Sequence, residues 1–269
     1  MPKRRSYLLA LASSMILAAC GPAASRQYAQ MQDSATSACL RNPACYTASP
    51  GEEAILPWLS RSIDAARTTA AVLKLLDAAE IARVEQVLHD CALEANAQVN
   101  DALLGKGNRP TQKLCQETFT TDARGNKVTW AMHLGQEKHK VALECAQKQL
   151  GELFAEQFSL QPQYRYNRET GVLELLDPKQ VAAWLRDGLW DKLLGTLIPD
   201  VVLHASGNPL NVQEVYDFKF PCTPGKTPSW TKYPRDHPHH PRDQGDIYNE
   251  ALKPQRVPAR VAPGHGAFR

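Results

Sequence analysis

Asp200, Asp217 and Lys219 are the residues of this 269-residue chain whose types and spacing could do chemistry. Two carboxylates offer hard oxygen donors of the kind Mg²⁺, or Mn²⁺, takes alongside water and a phosphate. A cation held there would acidify a water and act as a Lewis acid. The ammonium would hold the attacking water or hydroxide and steady charge growing on phosphate oxygens. That set fits hydrolysis of a phosphodiester.

The elements that must position these residues lie in Ile198 to Pro221. Val201-Val202-Leu203 and Val215-Tyr216 flank Ser206-Gly207-Asn208-Pro209. β-Branched runs on either side of a Gly-Asn-Pro cluster predict two strands joined by a turn. Asp200 heads the first strand. Asp217 and Lys219 end the second and share a face, because side chains alternate along a strand. Antiparallel pairing would bring Asp200 alongside them. Further on, Asp243 is placed to cap a short helix bearing Gln244, Tyr248 and Leu252.

At these residues the chain resembles the PD-(D/E)XK nuclease superfamily, the restriction-endonuclease fold. Pro199-Asp200 matches the first half of its motif and Asp217-Phe218-Lys219 the second. Gln244 and Tyr248 match the Q-x-x-x-Y element that RecB-type members carry on the helix after the core strands. The resemblance implies that Asp200 and Asp217 bind the metal and that Lys219 steadies the nucleophile. It implies that Gln244 orients water or phosphate and that Tyr248 positions Gln244 or the substrate. In this superfamily an acidic residue on the helix opening the core often completes the metal site. Glu137 and Glu144 are the candidates on the helix expected from Val128 to Phe158, and the denser polar surroundings favour Glu137.

The first twenty residues read as an address. Lys3-Arg4-Arg5 precedes a short apolar run from Tyr7 to Ala19, and Leu17-Ala18-Ala19-Cys20 resembles a bacterial lipobox. The resemblance implies lipidation at Cys20 and a membrane anchor through the N-terminal lipid. Gly21 after that cysteine resembles lipoproteins sorted to the outer membrane, facing the periplasm or the surface. Export makes disulfides permissible. Apart from Cys20 the cysteines are Cys39, Cys45, Cys91, Cys115, Cys145 and Cys222. Six thiols allow fifteen pairings; the short loop between Cys39 and Cys45 makes them the favoured pair.

The expected organisation is a signal peptide over 1–20, a flexible tether over 21–50, a helical domain over 51–125 and a nuclease domain over 126–269. The fold class expected is α+β: an N-terminal helical region, then a restriction-endonuclease-like α/β domain with a small mixed sheet flanked by helices. Within the helical region Asp77-Ala-Ala-Glu80 reads as a capping box. Gln163 to Asp177 reads as strand, turn, strand, and Asp177-Pro178 as a helix start. The tail is expected to give a short strand over Val257 to Val261 and then a basic, partly disordered end. Net charge is only +3, so a nuclease would have to gather its basic residues near the site.

A lipoprotein leader, a helical middle and a C-terminal nuclease look like a polymorphic toxin of the kind exchanged through outer-membrane fusion. That resemblance implies action in the cytoplasm of a target cell on nucleic acid, DNA in preference to RNA. It also implies a cognate immunity protein. The rival is a non-enzymatic envelope lipoprotein. In that rival its Pro- and His-rich stretch, with His237, His239 and His240, would bind a metal or a partner. The repeated prolines favour instead an extended loop draped beside the site, where histidines and arginines would meet phosphates.

Overall fold

The computed structural model describes residues 74–269, leaving out 122–124, 126, 224, 234, 236 and the side chain of Trp190. The leader, the tether, Cys20, the expected Cys39–Cys45 pair and the start of the helical region lie outside the described residues. Within them the chain is a mixed α+β structure.

Helix α1 (Ala78–Leu104) opens with the capping box foreseen at Asp77 and Glu80. A short helix α2 (Gln112–Gln116) and the small hairpin β1 (Thr118–Thr121) and β2 (Lys127–Thr129) follow. Helix α3 spans Trp130–Phe154 and is capped by the Thr129 hydroxyl. Strand β3 is Phe158–Leu160. Strands β4 (Tyr164–Asn167), β5 (Val172–Leu175) and β6 (Thr196–Leu197) make a separate three-stranded sheet. Helix α4 (Pro178–Arg186) starts at Asp177 with Pro178 in its first turn. Then come β7 (Val201–Ala205), β8 (Asn208–Phe218), α5 (Gln244–Leu252), β9 (Ala259–Ala262) and β10 (Gly266–Phe268).

The principal sheet has the order β10-β9-β8-β7-β3. β7 and β8 pair antiparallel as expected, with Val201 opposite Tyr216, but the turn is tighter than expected: it is Ser206-Gly207, and Asn208-Pro209 already belong to β8. β8 and β9 pair parallel, with Asp217 opposite Arg260. A parallel neighbour requires a crossover, and α5 supplies it. Strand alternation then sorts the core. Val201, Leu203, Tyr216 and Phe218 face α1 and α3. Val202 and Val215 face Ile247, Tyr248, Ala251 and Leu252 of α5. The sheet is thus covered on both faces, which is why its central strands read as apolar runs.

The boundary expected at 125 does not divide two cores. Ile81, Val84, Leu88 and Cys91 of α1 pack in one cluster with Leu143, Ala146 and Leu150 of α3 and with the sheet. Disulfides Cys91–Cys145 and Cys115–Cys222 both cross that boundary. Helix α1 is therefore part of the α+β unit. The tail also differs from expectation: β10 pairs with β9, and Arg269 binds Glu85 and Glu214 at 3.1 and 2.9 Å. Glu214 of β8 is buried, and two arginines, Arg256 and Arg269, converge on it to compensate its charge. On α3, Lys138 is 1% exposed, and burial draws its pKa down to about 8.

A fragment starting at residue 126 should therefore lack a cooperative urea transition, whereas one starting at 74 should keep it. Starting at 126 removes α1, which covers the α3 face, and with Cys91 and Cys115 it deletes both disulfides, each worth ~2–5 kcal/mol. A sharp transition in the shorter fragment would restore the boundary at 125.

Candidate active site

Asp200, Asp217, Lys219 and Gln244 meet at one end of the principal sheet. Both aspartates are 0% exposed. Asp200 sits one residue before β7, and its Oδ2 accepts from the Phe218 N–H of β8 at 2.8 Å. Its Oδ1 accepts from Gln161 Nε2 at 3.1 Å, and Gln161 N–H donates to the Asp200 carbonyl at 3.0 Å. Gln161 holds this clasp with φ 46°, in the left-handed region that a non-glycine residue occupies at a cost. His139 of α3 brings Nδ1 to 3.3 Å from Asp200 Oδ2, an ion-pair approach without hydrogen-bond alignment.

Asp217 is on the face of β8 that looks toward α5. The Lys219 ammonium is in contact with its Oδ2, while its Oδ1 has no hydrogen-bond partner among the described residues. Lys219 Nζ also donates to Gln244 Oε1 at 2.8 Å. The Gln244 Nε2 is buried and unpartnered among the described residues. The helix that carries Gln244 is held close by Trp230. That ring lies against Gly245 so tightly that a Cβ there would be 2.5 Å from Nε1. Trp230 also meets Tyr248 edge-on at 6.0 Å and carries Lys219 over its face at 5.2 Å. Tyr248 is fully buried behind it.

The two carboxylates sit in opposite electrostatic situations. Burial pushes Asp217 up to about 7; Lys219 opposes that shift and the nearby Asp200 reinforces it. Burial also pushes Asp200 upward, but His139, then Lys219 and Gln161, outweigh it and hold Asp200 below the usual carboxylate range. The surroundings thus drive the pair in opposite directions, Asp200 toward the ionised form and Asp217 toward the protonated one.

A groove of about 610 Å³ opens beside these residues, lined among others by His139, Lys219, Phe220, Gly135 and Lys226. Lys219 reaches it; the aspartates lie behind.

Neither helix glutamate joins the cluster. Glu144 is exposed and Glu137 half-buried, and no contact brings either to Asp200. On a helix, residues 137 and 144 lie off the stripe formed by Leu134, Lys138, Ala142 and Ala146, whereas His139 lies on its edge. The helix position facing Asp200 is thus His139, which sequence reasoning passed over together with Gln161 and Trp230. The inward stripe of α3 was a readable signal for His139. Gln161 and Trp230 carried none.

The histidine-rich stretch does not drape beside the site. His237 and His239 are buried; His239 Nε2 meets the Gly195 carbonyl at 2.9 Å, and His240 Nδ1 meets the Tyr233 carbonyl at 3.1 Å. His237 stacks on Tyr233 at 4.1 Å. These contacts fasten the loop to the fold.

No known protein family, curated protein or solved structure matches the chain. Among the described residues no group of three or more histidine, cysteine or acidic side chains is already arranged around a metal position. The donor set nevertheless suits a hard cation. Asp217 Oδ1 is buried without a partner, and two close carboxylates repel one another. A divalent ion relieves both. Lys219 now stands where positive charge is needed, so an entering cation would have to share Asp217 with it or move it.

The shift at Asp217 gives a stability test. Folded Asp217 keeps its proton to about pH 7 and the unfolded chain loses it near 3.8, so its contribution is full below the unfolded value and is lost as pH rises through the folded one. Without added metal, Asp217→Asn should gain stability over the parent as pH rises from 4 to 7. Thermal unfolding across that range checks it; a constant difference between the two proteins would refute the shift.

Proposed function

We propose that the chain is a metal-dependent nuclease of the PD-(D/E)XK kind, with its active site at Asp200, Asp217, Lys219 and Gln244. The observation that carries this reading is the convergence itself. Residues 17 and 44 positions from Asp200 in sequence, Asp217 and Gln244, meet it through Lys219 at one sheet end. The order of elements supports the reading too. A helix, antiparallel strands β3, β7 and β8, the crossover α5 and parallel β9 put the paired motif and the Q-x-x-x-Y helix on adjoining elements.

Mg²⁺ or Mn²⁺ would be held by Asp200 and Asp217, with His139 in place of the expected Glu137 or Glu144. When bound, the ion supplies a more acidic water and a Lewis acid. Lys219 places positive charge where the attacked phosphate gains negative charge. Gln244 fixes the ammonium through Oε1 and turns its unpartnered Nε2 toward whatever lies beside it, a water or a phosphate oxygen. Gln161 and the Phe218 N–H keep Asp200 ionised and immobile. Trp230 and Gly245 set the spacing between Lys219 and α5.

The substrate is nucleic acid, DNA before RNA. Lipid anchoring at Cys20, placement in the outer membrane of a producing cell, entry into a target cytoplasm and neutralisation by an immunity protein complete the toxin proposal. They rest on the leader motif and the overall arrangement.

Purified protein should degrade DNA with Mg²⁺ or Mn²⁺ and stop in EDTA. Lys219→Ala should lower the rate about 10²–10³-fold, the scale of losing one preorganised charge-stabilising group. His139→Ala should cost about 10–100-fold or more, as loss of a metal-site residue does, and Glu144→Gln should cost nothing measurable. Undiminished cleavage in EDTA would exclude the metal; full activity in a folded Lys219→Ala protein would move the site elsewhere. Loss of activity in Glu144→Gln with none in His139→Ala would return the helix ligand to the glutamate.

A further inference from the structure

A second cavity adjoins the active-site groove across the loop that follows β8. Phe220, Pro221, Cys222, Thr223 and Lys226 line both. The second cavity has a volume of about 340 Å³ and takes the rest of its wall from α1, Arg109-Pro110 and the turn between β9 and β10. Its ionisable lining residues are Arg109, Lys226 and His265, and no carboxylate lines it.

Behind this wall stands Lys138. It is 1% exposed, and its Nζ donates to Asn96 Oδ1 at 2.8 Å. Among the described residues no carboxylate reaches ion-pair distance of it. Buried cations are ordinarily paired, because an amide carbonyl recovers only part of the lost hydration. Asn96 and Asn100 both line the cavity. Asn100 is 5% exposed, reaches Asn96 Oδ1 through Nδ2 at 3.4 Å, and leaves its own Oδ1 without a partner. The lining thus combines two surface cations and an unused acceptor, and behind it lies a buried ammonium that has no counter-charge among the described residues. Cations recognise a phosphate group, and the acceptor suits a hydroxyl beside it.

We propose that this cavity is an anion site that takes a phosphate group, with Lys138 as its buried counter-charge and Arg109 and Lys226 at its mouth. The shared loop makes a nucleic acid strand the natural source, one phosphate at Lys219 and another here. That choice of source rests on the nuclease reading; the anion site does not.

The test uses the full chain in EDTA, so no cleavage is read. Inorganic phosphate is titrated against chloride of equal ionic strength while the thermal midpoint is followed, and a labelled single-stranded oligonucleotide is titrated by anisotropy. Phosphate should raise the midpoint saturably. Arg109→Gln, an exposed change outside the active-site groove, should weaken the apparent affinity about tenfold, the scale of one charge-assisted contact. Lys138→Met should abolish the effect; if that variant does not fold, Arg109→Gln decides alone. Oligonucleotide binding displaced by phosphate and weakened in Arg109→Gln identifies a strand as the source. Phosphate binding without it identifies a small phosphate ester. Absence of saturable stabilisation, or an equal effect in parent and Arg109→Gln, overturns the proposal.

Discussion

The Asp200 carboxylate is the contact on which the rest of the site depends. It is wholly buried and surrounded by the chain's own groups: the Phe218 N–H from β8, the Gln161 amide from the end of β3, and His139 from α3. An ionised carboxylate can be buried only when such partners replace its water. Each partner comes from a different element, so the requirement to compensate one charge fixes the relation of helix to sheet. The left-handed conformation of Gln161 is tolerated because its side chain serves that charge while its backbone N–H holds the Asp200 carbonyl.

Asp217 shows the other half of the constraint. It lies equally deep yet has one cationic partner, Lys219, and that partner is itself divided between Asp217 and Gln244. The ammonium is the hinge between strand and helix. Trp230 sets how near the two may come, since its ring occupies the space above Gly245. A side chain at 245 would drive α5 outward and open the Lys219–Gln244 bond. Here a glycine is required by close approach rather than by its backbone angles.

The loop after β8 joins these parts to the remainder. Cys222 ties it to α2 through Cys115, and Phe220 packs edge-on to His139 at 5.2 Å. The strand carrying Asp217 and Lys219 therefore runs directly into a fastened segment. A fixed wall of this kind keeps the groove and the adjoining cavity in constant relation.

The sequence alone determined β7 and β8 and the starts of α1, α4 and α5, because each is a local matter; β3, β6 and the α3 start at Trp130 it did not. Val201 to Leu203 and Val215-Tyr216 flank Gly207, Asp77 and Asp177 cap their helices, and Asp243 caps α5 ahead of Gln244. Alternation along β8 was enough to put Asp217 and Lys219 on one face. What lay across space was not legible. A linear spacing of helical residues does not say which face meets the sheet, so Glu137 stands out over Glu144 in the sequence and His139 goes unnoticed. Nor does a polar stretch reveal that α1 completes the same core, or that two disulfides bind across it. The Pro- and His-rich stretch reads as a loop beside the site because composition cannot register burial. Tertiary packing decided these points, since each depends on which distant group is left to satisfy a buried charge or a bare apolar face.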